Sequence, residues 1–308
     1  MKVFIPKIKE DWIIDRIRKE WYEYSKEIST NVSFFSDIIW INAPWAWSKL
    51  KKSQLNNKHV VCTIHHIDEK KISEFENNFF SLDGYVDFYH VPSQKTLEQL
   101  KRLTSKKIFH IPYWVNCNDF YYINNKSILR KKYGFESSDY LVGSFQRDTE
   151  GHDLKSPKLI KGPDIFIKNI NYLYKKNNNL KVVLTGKRRQ YVIKELNSLN
   201  IPFHYFEMIN TATLNELYNI LDLYIVSSRI EGGPQAILEC AISKTPIVST
   251  DVGIAGEVLH QKSIFKNQIN DAKPNIEFAY KKAEKLELSN LIRKYSSMFE
   301  TIYQTRIN

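Results

Sequence analysis

Short apolar runs alternate with longer amphipathic stretches along this chain. The runs are rich in β-branched and aromatic residues, which are typical of strands in a buried sheet, and the stretches between them repeat apolar residues at helical spacing. Strands that alternate with helices predict an α/β fold with parallel sheets covered on both faces. The predicted strands span residues 2–6, 37–42, 59–66, 86–93, 106–113, 140–146, 180–186, 202–208, 223–228 and 246–251.

A polar, irregular segment at residues 118–139 separates two halves that share this rhythm. We therefore predict an N-terminal domain over residues 1–117 and a second domain over residues 118–288, each of ordinary domain size. The final segment, residues 289–308, is amphipathic at helical spacing. We expect a helix there that could cross back onto the N-terminal domain.

Composition narrows the classes of partner. The chain has 308 residues, of which 43% are hydrophobic, so it can bury sizeable cores. Its formal net charge of +11 is spread over many short clusters. Because no nucleic-acid motif or concentrated basic helix accompanies this charge, we do not expect a nucleic-acid partner. A basic excess of this kind also suits anionic small molecules or a membrane surface.

Cysteine usage and hydropathy bear on location. The three cysteines, Cys62, Cys117 and Cys240, lack paired spacing, which indicates reduced thiols and a cytoplasmic protein. No apolar run approaches the roughly 20 residues that cross a bilayer. Contact with a membrane, if there is any, is therefore expected to be peripheral, at its inner face. The pattern does not predict an oligomeric state.

Glycine is distributed unevenly. Of the ten glycines, only Gly84 precedes residue 134. A turn that binds phosphate needs glycine where the anion approaches the backbone. We therefore expect the phosphate-binding residues in the second domain.

The stretch SSRIEGGPQAILEC (227–240) fits that expectation. It follows a predicted strand, and Gly232 and Gly233 precede a predicted helix whose first turn suits Pro234. Unpaired N–H groups and a partial positive charge at a helix start favour phosphate. The alternative is an ordinary strand-to-helix turn.

Two glutamates in this stretch are separated by seven residues. Glu239 stands in an apolar helix, where a carboxylate is costly unless it is paired or hydrogen-bonded. A ribose diol is a natural partner, because one carboxylate accepts hydrogen bonds from both hydroxyls. The alternative is a solvent-facing position on the helix. Glu231, on the preceding loop, would then lie at the other end of the same ligand, near a sugar.

Residues 227–259 resemble the nucleotide-sugar signature of family 4 glycosyltransferases, in which such a glutamate pair precedes a buried strand and a glycine-rich turn. Residues 90–100, 111–120 and 141–166 are similar to further family segments in family order. The resemblance covers most of the chain and weakens before residue 90. It implies the GT-B fold, in which two Rossmann-like, doubly wound parallel-sheet domains face an interdomain cleft.

The resemblance also implies residue roles. Arg147 and Lys161 would neutralise the donor diphosphate and stabilise it as leaving group, and Glu231 would contact the transferred sugar. The donor-binding residues that it implies are Arg147, Lys161, Met208, Gly232, Gly233, Pro234 and Glu239.

Two assignments leave alternatives open. The family's catalytic histidine matches His65 or His66, of which we favour His66 because it stands at the strand's end. The segment between Arg147 and Lys161 is long and charged, so Lys155 or Lys158 could take the place of Lys161.

The resemblance implies a retaining, metal-independent glycosyltransferase without a cofactor. A UDP-sugar is the favoured donor, and a glycan or lipid-linked acceptor in surface polysaccharide or glycoconjugate synthesis is expected. The lack of an Asp-x-Asp motif agrees with chemistry that needs no metal. The alternative is a non-catalytic GT-B protein or partner subunit that binds sugar nucleotides or glycans.

The segment APWAWSKLKK (43–52) combines two tryptophans with three lysines. Tryptophan stacks on sugars, and tryptophan with lysine also suits a membrane interface. Partial packing in the core beside a solvated basic end is a third interpretation.

Overall fold

The computed structural model describes residues 1–8, 13–55, 57–270 and 272–305. The chain forms two compact units: unit 1 comprises Met1–Trp114 with Leu288–Asn308, and unit 2 comprises Val115–Glu287. The chain thus enters unit 2 three residues before the predicted boundary after residue 117, and it leaves unit 2 one residue before the predicted end at residue 288.

Unit 1 contains a five-stranded sheet in which every neighbouring pair is parallel. Each strand lies inside one of the five runs that the sequence predicts for this half. The strands are β1 (Val3–Phe4), β2 (Ile38–Ile41), β3 (His59–Thr63), β4 (Phe88–Val91) and β5 (Ile108–His110). The α-helices are α1 (Ile13–Tyr24), α2 (Lys52–Leu55), α3 (Ile72–Asp83) and α4 (Gln94–Leu100).

Unit 2 contains a six-stranded parallel sheet and a short antiparallel pair. The sequence did not predict the strands Thr149–Glu150, Ser156–Pro157 and Ile264–Phe265, because none of them lies in an apolar run of four or more residues. The strands are β6 (Tyr140–Ser144), β7 (Thr149–Glu150), β8 (Ser156–Pro157), β9 (Leu180–Thr185), β10 (Phe203–Phe206), β11 (Leu223–Val226), β12 (Ile247–Thr250) and β13 (Ile264–Phe265). The α-helices are α5 (Lys126–Lys132), α6 (Pro163–Lys176), α7 (Gln190–Ser198), α8 (Thr211–Ile220), α9 (Gln235–Ile242), α10 (Ala255–Val258) and α11 (Ile276–Ala283).

The final helix, α12 (Leu288–Gln304), packs in unit 1. Side chains along β2 alternate between the two faces of the sheet. Ile39 and Ile41 join a cluster with Phe79 of α3, whereas Trp40 contacts the rings of Tyr295 and Phe299 of α12. The chain therefore covers one face of the unit 1 sheet with its own C-terminal segment.

A buried hydrogen-bond chain ties α12 to this sheet. Trp40 Nε1 donates to Thr63 Oγ1 (2.8 Å), and this hydroxyl lies 2.9 Å from His90 Nδ1. His90 Nε2 lies 2.8 Å from the Ile111 carbonyl oxygen and 3.1 Å from the Tyr295 hydroxyl. Burial lowers the pKa of His90 to about 3, so this ring stays neutral at physiological pH.

The two sheets differ in strand order. In unit 2 the order is β10-β9-β6-β11-β12-β13, so the chain moves outward from β6 in one direction and then returns to move outward from β11 in the other. This is the expected doubly wound order, and ligands of such sheets bind at the carboxyl ends of the strands where the direction reverses. In unit 1 the order is β1-β2-β3-β4-β5, which follows the chain without a reversal among the described strands.

Candidate active site

The loops that follow β6 and β11, at the reversal point of the unit 2 sheet, are joined by hydrogen bonds. Gln146, beyond β6, donates from Nε2 to the Lys161 carbonyl (2.7 Å) and to Oγ of Ser227, beyond β11 (3.3 Å). The Ser228 hydroxyl oxygen lies 3.1 Å from Gln146 Oε1. Sequence reasoning missed Gln146, which links both loops and also contacts the Lys161 segment.

Lys161 and Glu231 meet at this point. Lys161 Nζ lies 2.5 Å from Glu231 Oε1, and Ser228 Oγ donates to the same oxygen at 3.0 Å. Both charged side chains are mostly buried. The structure thus brings together two of the sequence-predicted catalytic residues, and each restricts the position of the other.

Positive charge is concentrated beside this pair. Burial lowers the pKa of Lys158, and the charges of Arg147 and Lys161 lower it further. Arg147 Nε donates to the Thr149 carbonyl (2.9 Å), which orients its guanidinium group. Because two neighbouring cations disfavour the charge of Lys158, an anion bound beside them would stabilise it.

The β7–β8 hairpin accounts for the long segment between Arg147 and Lys161. Lys155 lies on the exposed turn of this hairpin, where its backbone N–H donates to Asp153. Lys158, just beyond β8, and Lys161 are partly buried. Of the three lysines that the sequence left open, the structure places Lys158 and Lys161 near Arg147 and Lys155 on the exposed turn.

Two glycines allow backbone segments to touch at this edge of the sheet. Gly162 has a φ of +60°, and a Cβ added there would lie 1.8 Å from the Ser227 carbonyl oxygen. Gly253 has a φ of +50°, and its added Cβ would lie 2.2 Å from the Gly232 carbonyl oxygen. Positive φ and these contacts together require glycine. The sequence pattern pointed to Gly232 and Gly233, whereas the close backbone contacts require glycine at positions 162 and 253.

Glu239 lies inside unit 2. It is 4% exposed on α9, and its Oε2 accepts a hydrogen bond from the Tyr218 hydroxyl at 2.7 Å. Burial, together with the charge of Glu239, raises the pKa of Tyr218 well above its usual value, so the phenol keeps the proton it donates. The solvent-facing alternative for Glu239 is therefore wrong. Tyr218, which the sequence did not indicate, is the buried partner that the apolar helix required.

The start of α9 differs slightly from prediction. The helix begins at Gln235, and Pro234 is its N-cap residue instead of part of its first turn. Nε2 and Oε1 of Gln235 are buried without a hydrogen-bond partner among the described residues. Buried amides are rarely left unpaired, so Gln235 joins the candidate site. The sequence signal that could have found it is an amide side chain directly after Gly-Gly-Pro.

Met208 is an exposed residue beyond the carboxyl end of β10. Strand β9 separates β10 from β6, so β10 lies at the edge of the sheet. Met208, Arg147 and Glu231 therefore all follow the carboxyl ends of strands in this sheet. Met208, however, lies outside the hydrogen-bonded group that surrounds Glu231.

The two adjacent histidines of unit 1 have different surroundings. His65 Nε2 lies 2.9 Å from the Asn42 carbonyl oxygen, which can only accept, and its Nδ1 lies 2.9 Å from the Tyr113 hydroxyl. Both ring nitrogens of His65 are thus engaged within unit 1. His66, the favoured residue, is half-buried beyond the carboxyl end of β3.

The two tryptophans of the 43–52 segment have different surroundings. Trp47 stacks on Tyr85, with ring centroids 5.6 Å apart, in agreement with partial packing. Trp45 is 48% exposed, and its ring lies 5.8 Å from that of His65. Trp45 follows β2 and His65 follows β3, so this exposed indole lies at the carboxyl edge of the unit 1 sheet.

Several solved structures have similar folds, and one of those described below is named as a glycosyltransferase. Anabaena Alr3699/HepE, in complex with UDP-glucose, matches with a TM-score of 0.77 at 12% identity over 97% of this chain and 99% of that one. The sucrose-phosphate synthase of Thermosynechococcus elongatus matches with a TM-score of 0.72 at 14% identity over 97% and 81%. A glycosyltransferase from Rickettsia africae gives 0.63 at 19% over 96% and 83%. These likenesses confirm the predicted GT-B fold.

The sequence of unit 2 supplies the class of enzyme. Residues 157–297 match the model of the family described as "Glycosyl transferases group 1". Residues 157–297 are therefore similar to a group 1 glycosyltransferase domain, and the predicted enzyme class, a glycosyltransferase, is confirmed. No curated protein sequence matches this chain.

Neither a candidate metal site nor a membrane-spanning helix occurs among the described residues. Within the described residues, no three histidine, cysteine, aspartate or glutamate side chains are grouped so that they could hold a metal ion. No helix in the same part of the chain combines the length and the apolar character needed to span a bilayer.

Proposed function

We propose that this protein transfers a sugar, with retention at the anomeric carbon, from a UDP-sugar to a glycan or lipid-linked acceptor. The observation that carries the proposal is the group formed by Arg147, Lys158, Lys161 and Glu231 at the reversal point of the unit 2 sheet. There, partly buried cations meet a carboxylate beside tightly packed glycine turns. The UDP and UDP-glucose complexes of the similar Anabaena protein support the choice of donor.

Arg147 and Lys161 bind the diphosphate in this proposal. Breaking the anomeric C–O bond leaves its electron pair on a phosphate oxygen, and fixed cations stabilise the charge where it develops. Lys158 adds to the positive charge of the site. Its charged form becomes favourable again when the negatively charged diphosphate binds. Glu231 holds Lys161 and contacts hydroxyls of the sugar.

Gly232, Gly233 and the start of α9 present backbone N–H groups to the donor, with Pro234 setting the entry into the helix. Glu239 accepts from the ribose hydroxyls, and Tyr218 keeps its carboxylate in position. In this proposal Met208 binds the donor and His66 is the catalytic histidine, as the resemblance implies.

In the transfer itself, the acceptor hydroxyl oxygen forms the new bond to the anomeric carbon. Its proton passes to the departing phosphate oxygen, so the reaction balances without a further base. The cations already neutralise the leaving group, and we propose that the reaction needs neither a metal ion nor a cofactor.

The acceptor is proposed to bind in unit 1. Trp45 offers an exposed ring at the carboxyl edge of the sheet, and such a ring stacks on the apolar face of a sugar. We place the enzyme in the cytoplasm because its three cysteines are free. The family resemblance supports a role in polysaccharide or glycoconjugate synthesis.

A panel of nucleotide sugars tests the proposal. We expect one UDP-sugar to bind and to be hydrolysed slowly in the absence of acceptor, with no loss of rate in the presence of a chelator. Tight binding without any hydrolysis would instead favour the non-catalytic alternative. If no nucleoside diphosphate bound, the site assignment would be wrong, and if a chelator abolished turnover, the metal-free chemistry would be wrong.

A further inference from the structure

Two adjacent phenylalanines project from unit 1 in the loop before β2. Phe34 is 81% exposed and Phe35 is 67% exposed, and their rings form an edge-to-face pair with centroids 5.3 Å apart. Val32, beside them, is half-exposed. Large exposed apolar groups that adjoin one another usually mark an interaction surface.

The backbone that carries these rings is well anchored. Lys58 Nζ donates to the carbonyl oxygens of Phe34 (3.1 Å) and Ser36 (2.5 Å). The backbone N–H of Phe35 donates to the Val32 carbonyl (3.1 Å), which closes a turn. The exposure of the rings therefore belongs to an ordered turn held by the rest of unit 1.

Lysines adjoin the same turn. Gln54 Nε2, on α2, donates to Ser33 Oγ at 2.9 Å, which brings α2 against the loop. Lys51 precedes α2 and Lys52 begins it, and both are exposed. The Lys52 ammonium lies 5.4 Å from the centre of the Tyr85 ring. On the other side, the carboxylate of Asp37 accepts a hydrogen bond from the backbone N–H of Lys2 at 2.7 Å and is occupied there. An apolar centre with a cationic rim complements a bilayer that carries anionic headgroups.

We propose that this surface, formed by Val32, Phe34, Phe35, Lys51 and Lys52, docks unit 1 onto an anionic membrane. The phenylalanine rings enter the boundary between headgroups and acyl chains, and the lysines bind the headgroup phosphates. The loop lies at the amino-terminal edge of the unit 1 sheet, before β2, whereas Trp45 lies at the carboxyl edge. Docking therefore leaves the carboxyl edge accessible. The proposal does not depend on the donor or the reaction.

Co-sedimentation with vesicles tests it. The full chain is mixed with vesicles of phosphatidylcholine alone or of phosphatidylcholine with phosphatidylglycerol. We expect binding to the anionic vesicles, weakened by salt, and a loss of about tenfold or more in the partition constant for F34S/F35S. We expect K51E/K52E to weaken binding to anionic vesicles by a similar factor.

The matched control is F80S, because Phe80 on α3 is also exposed, at 57%, but lies outside this surface. It should bind vesicles as the wild type does. All variants should keep the wild-type melting temperature, since each replaced side chain is exposed.

Three outcomes would overturn the proposal: no binding of the wild type to anionic vesicles, unchanged binding of F34S/F35S, or an equal loss in F80S. Analytical ultracentrifugation tests the alternative that a second copy of this chain binds this surface. If the wild type self-associated and F34S/F35S did not, while vesicle binding was the same for both, the surface would be a contact between copies of this chain. Failure of nucleotide-sugar binding would leave these results unaffected.

Discussion

Unit 1 and unit 2 are built from the same alternation of parallel strands and helices, but their turns differ in kind. Unit 2 holds nine of the ten glycines. Among the described residues, five of these glycines adopt a positive φ. In unit 1, Gly84 has no positive φ and has open space where a Cβ would stand.

This difference shows how each unit can recognise a ligand. In unit 2, Gly162 and Gly253 let carbonyl groups pack against neighbouring turns at the reversal point of the sheet, so the backbone itself shapes the site. In unit 1, the corresponding edge presents side chains such as Trp45 and His66. A site shaped by the backbone requires glycines at a spacing that can be recognised in the sequence. A site formed by side chains requires no such spacing.

The largest effect is expected from Gly162→Ala. The added methyl group meets the Ser227 carbonyl and the residue must keep a positive φ, so we expect a loss of roughly 2–5 kcal/mol in the free energy of unfolding. Gly84→Ala is the matched control in unit 1 and should change it by less than about 0.5 kcal/mol. Chemical denaturation measures both. Equal stability of the two variants would contradict the backbone contact.

The second largest effect is expected from replacing the cations of the unit 2 site. Arg147→Ala and Lys161→Ala should each lower the rate of donor hydrolysis by about 100-fold to 1,000-fold, because each removes a group that stabilises the leaving diphosphate. Lys155→Ala, on the exposed hairpin turn, should stay within about twofold of wild type. Steady-state kinetics with the preferred donor decides this. A large effect of Lys155→Ala with a small effect of Lys161→Ala would reverse the assignment.

A smaller effect is expected on binding from Glu239→Gln. Losing a charged acceptor for the ribose hydroxyls should weaken UDP binding about 10-fold to 100-fold by calorimetry. Tyr218→Phe removes the internal hydrogen bond that holds the same carboxylate in position, so it should cost about 1 kcal/mol of stability and weaken UDP binding less than Glu239→Gln does. If Glu239→Gln left UDP binding unchanged, Glu239 would be a structural residue.

The smallest effect concerns pH. The pKa of Lys158 is lowered by burial and by Arg147 and Lys161, so its charge is lost below the usual pH for lysine. UDP affinity should therefore fall a few-fold as pH rises through that lowered pKa. The unfolded chain keeps this proton to higher pH, so the same group makes stability rise with pH in that window. Calorimetry across pH should show a flatter profile for Lys158→Met. An identical profile would exclude Lys158 from the phosphate site.

The sequence by itself determined the alternation of strands and helices and the candidate stretch around Glu231 and Glu239, and its resemblance to a known glycosyltransferase family implied the two-domain GT-B fold. Buried parallel strands read as apolar runs, and the glycines and glutamates of this stretch have fixed spacing, so one continuous segment carries the information. That local character also explains why most of the predicted site residues lie in unit 2.

Tertiary structure alone decided which groups meet. Gln146, Lys161 and Ser228 come from separate loops and converge on Glu231 because β6 and β11 are adjacent in the sheet. Tyr218 meets Glu239 from another helix. The exposure of Phe34 and Phe35 likewise depends on packing, since an apolar pair in a sequence reads as core. Local patterns record the preferences of each segment, whereas contacts between distant segments arise only when the sheets assemble.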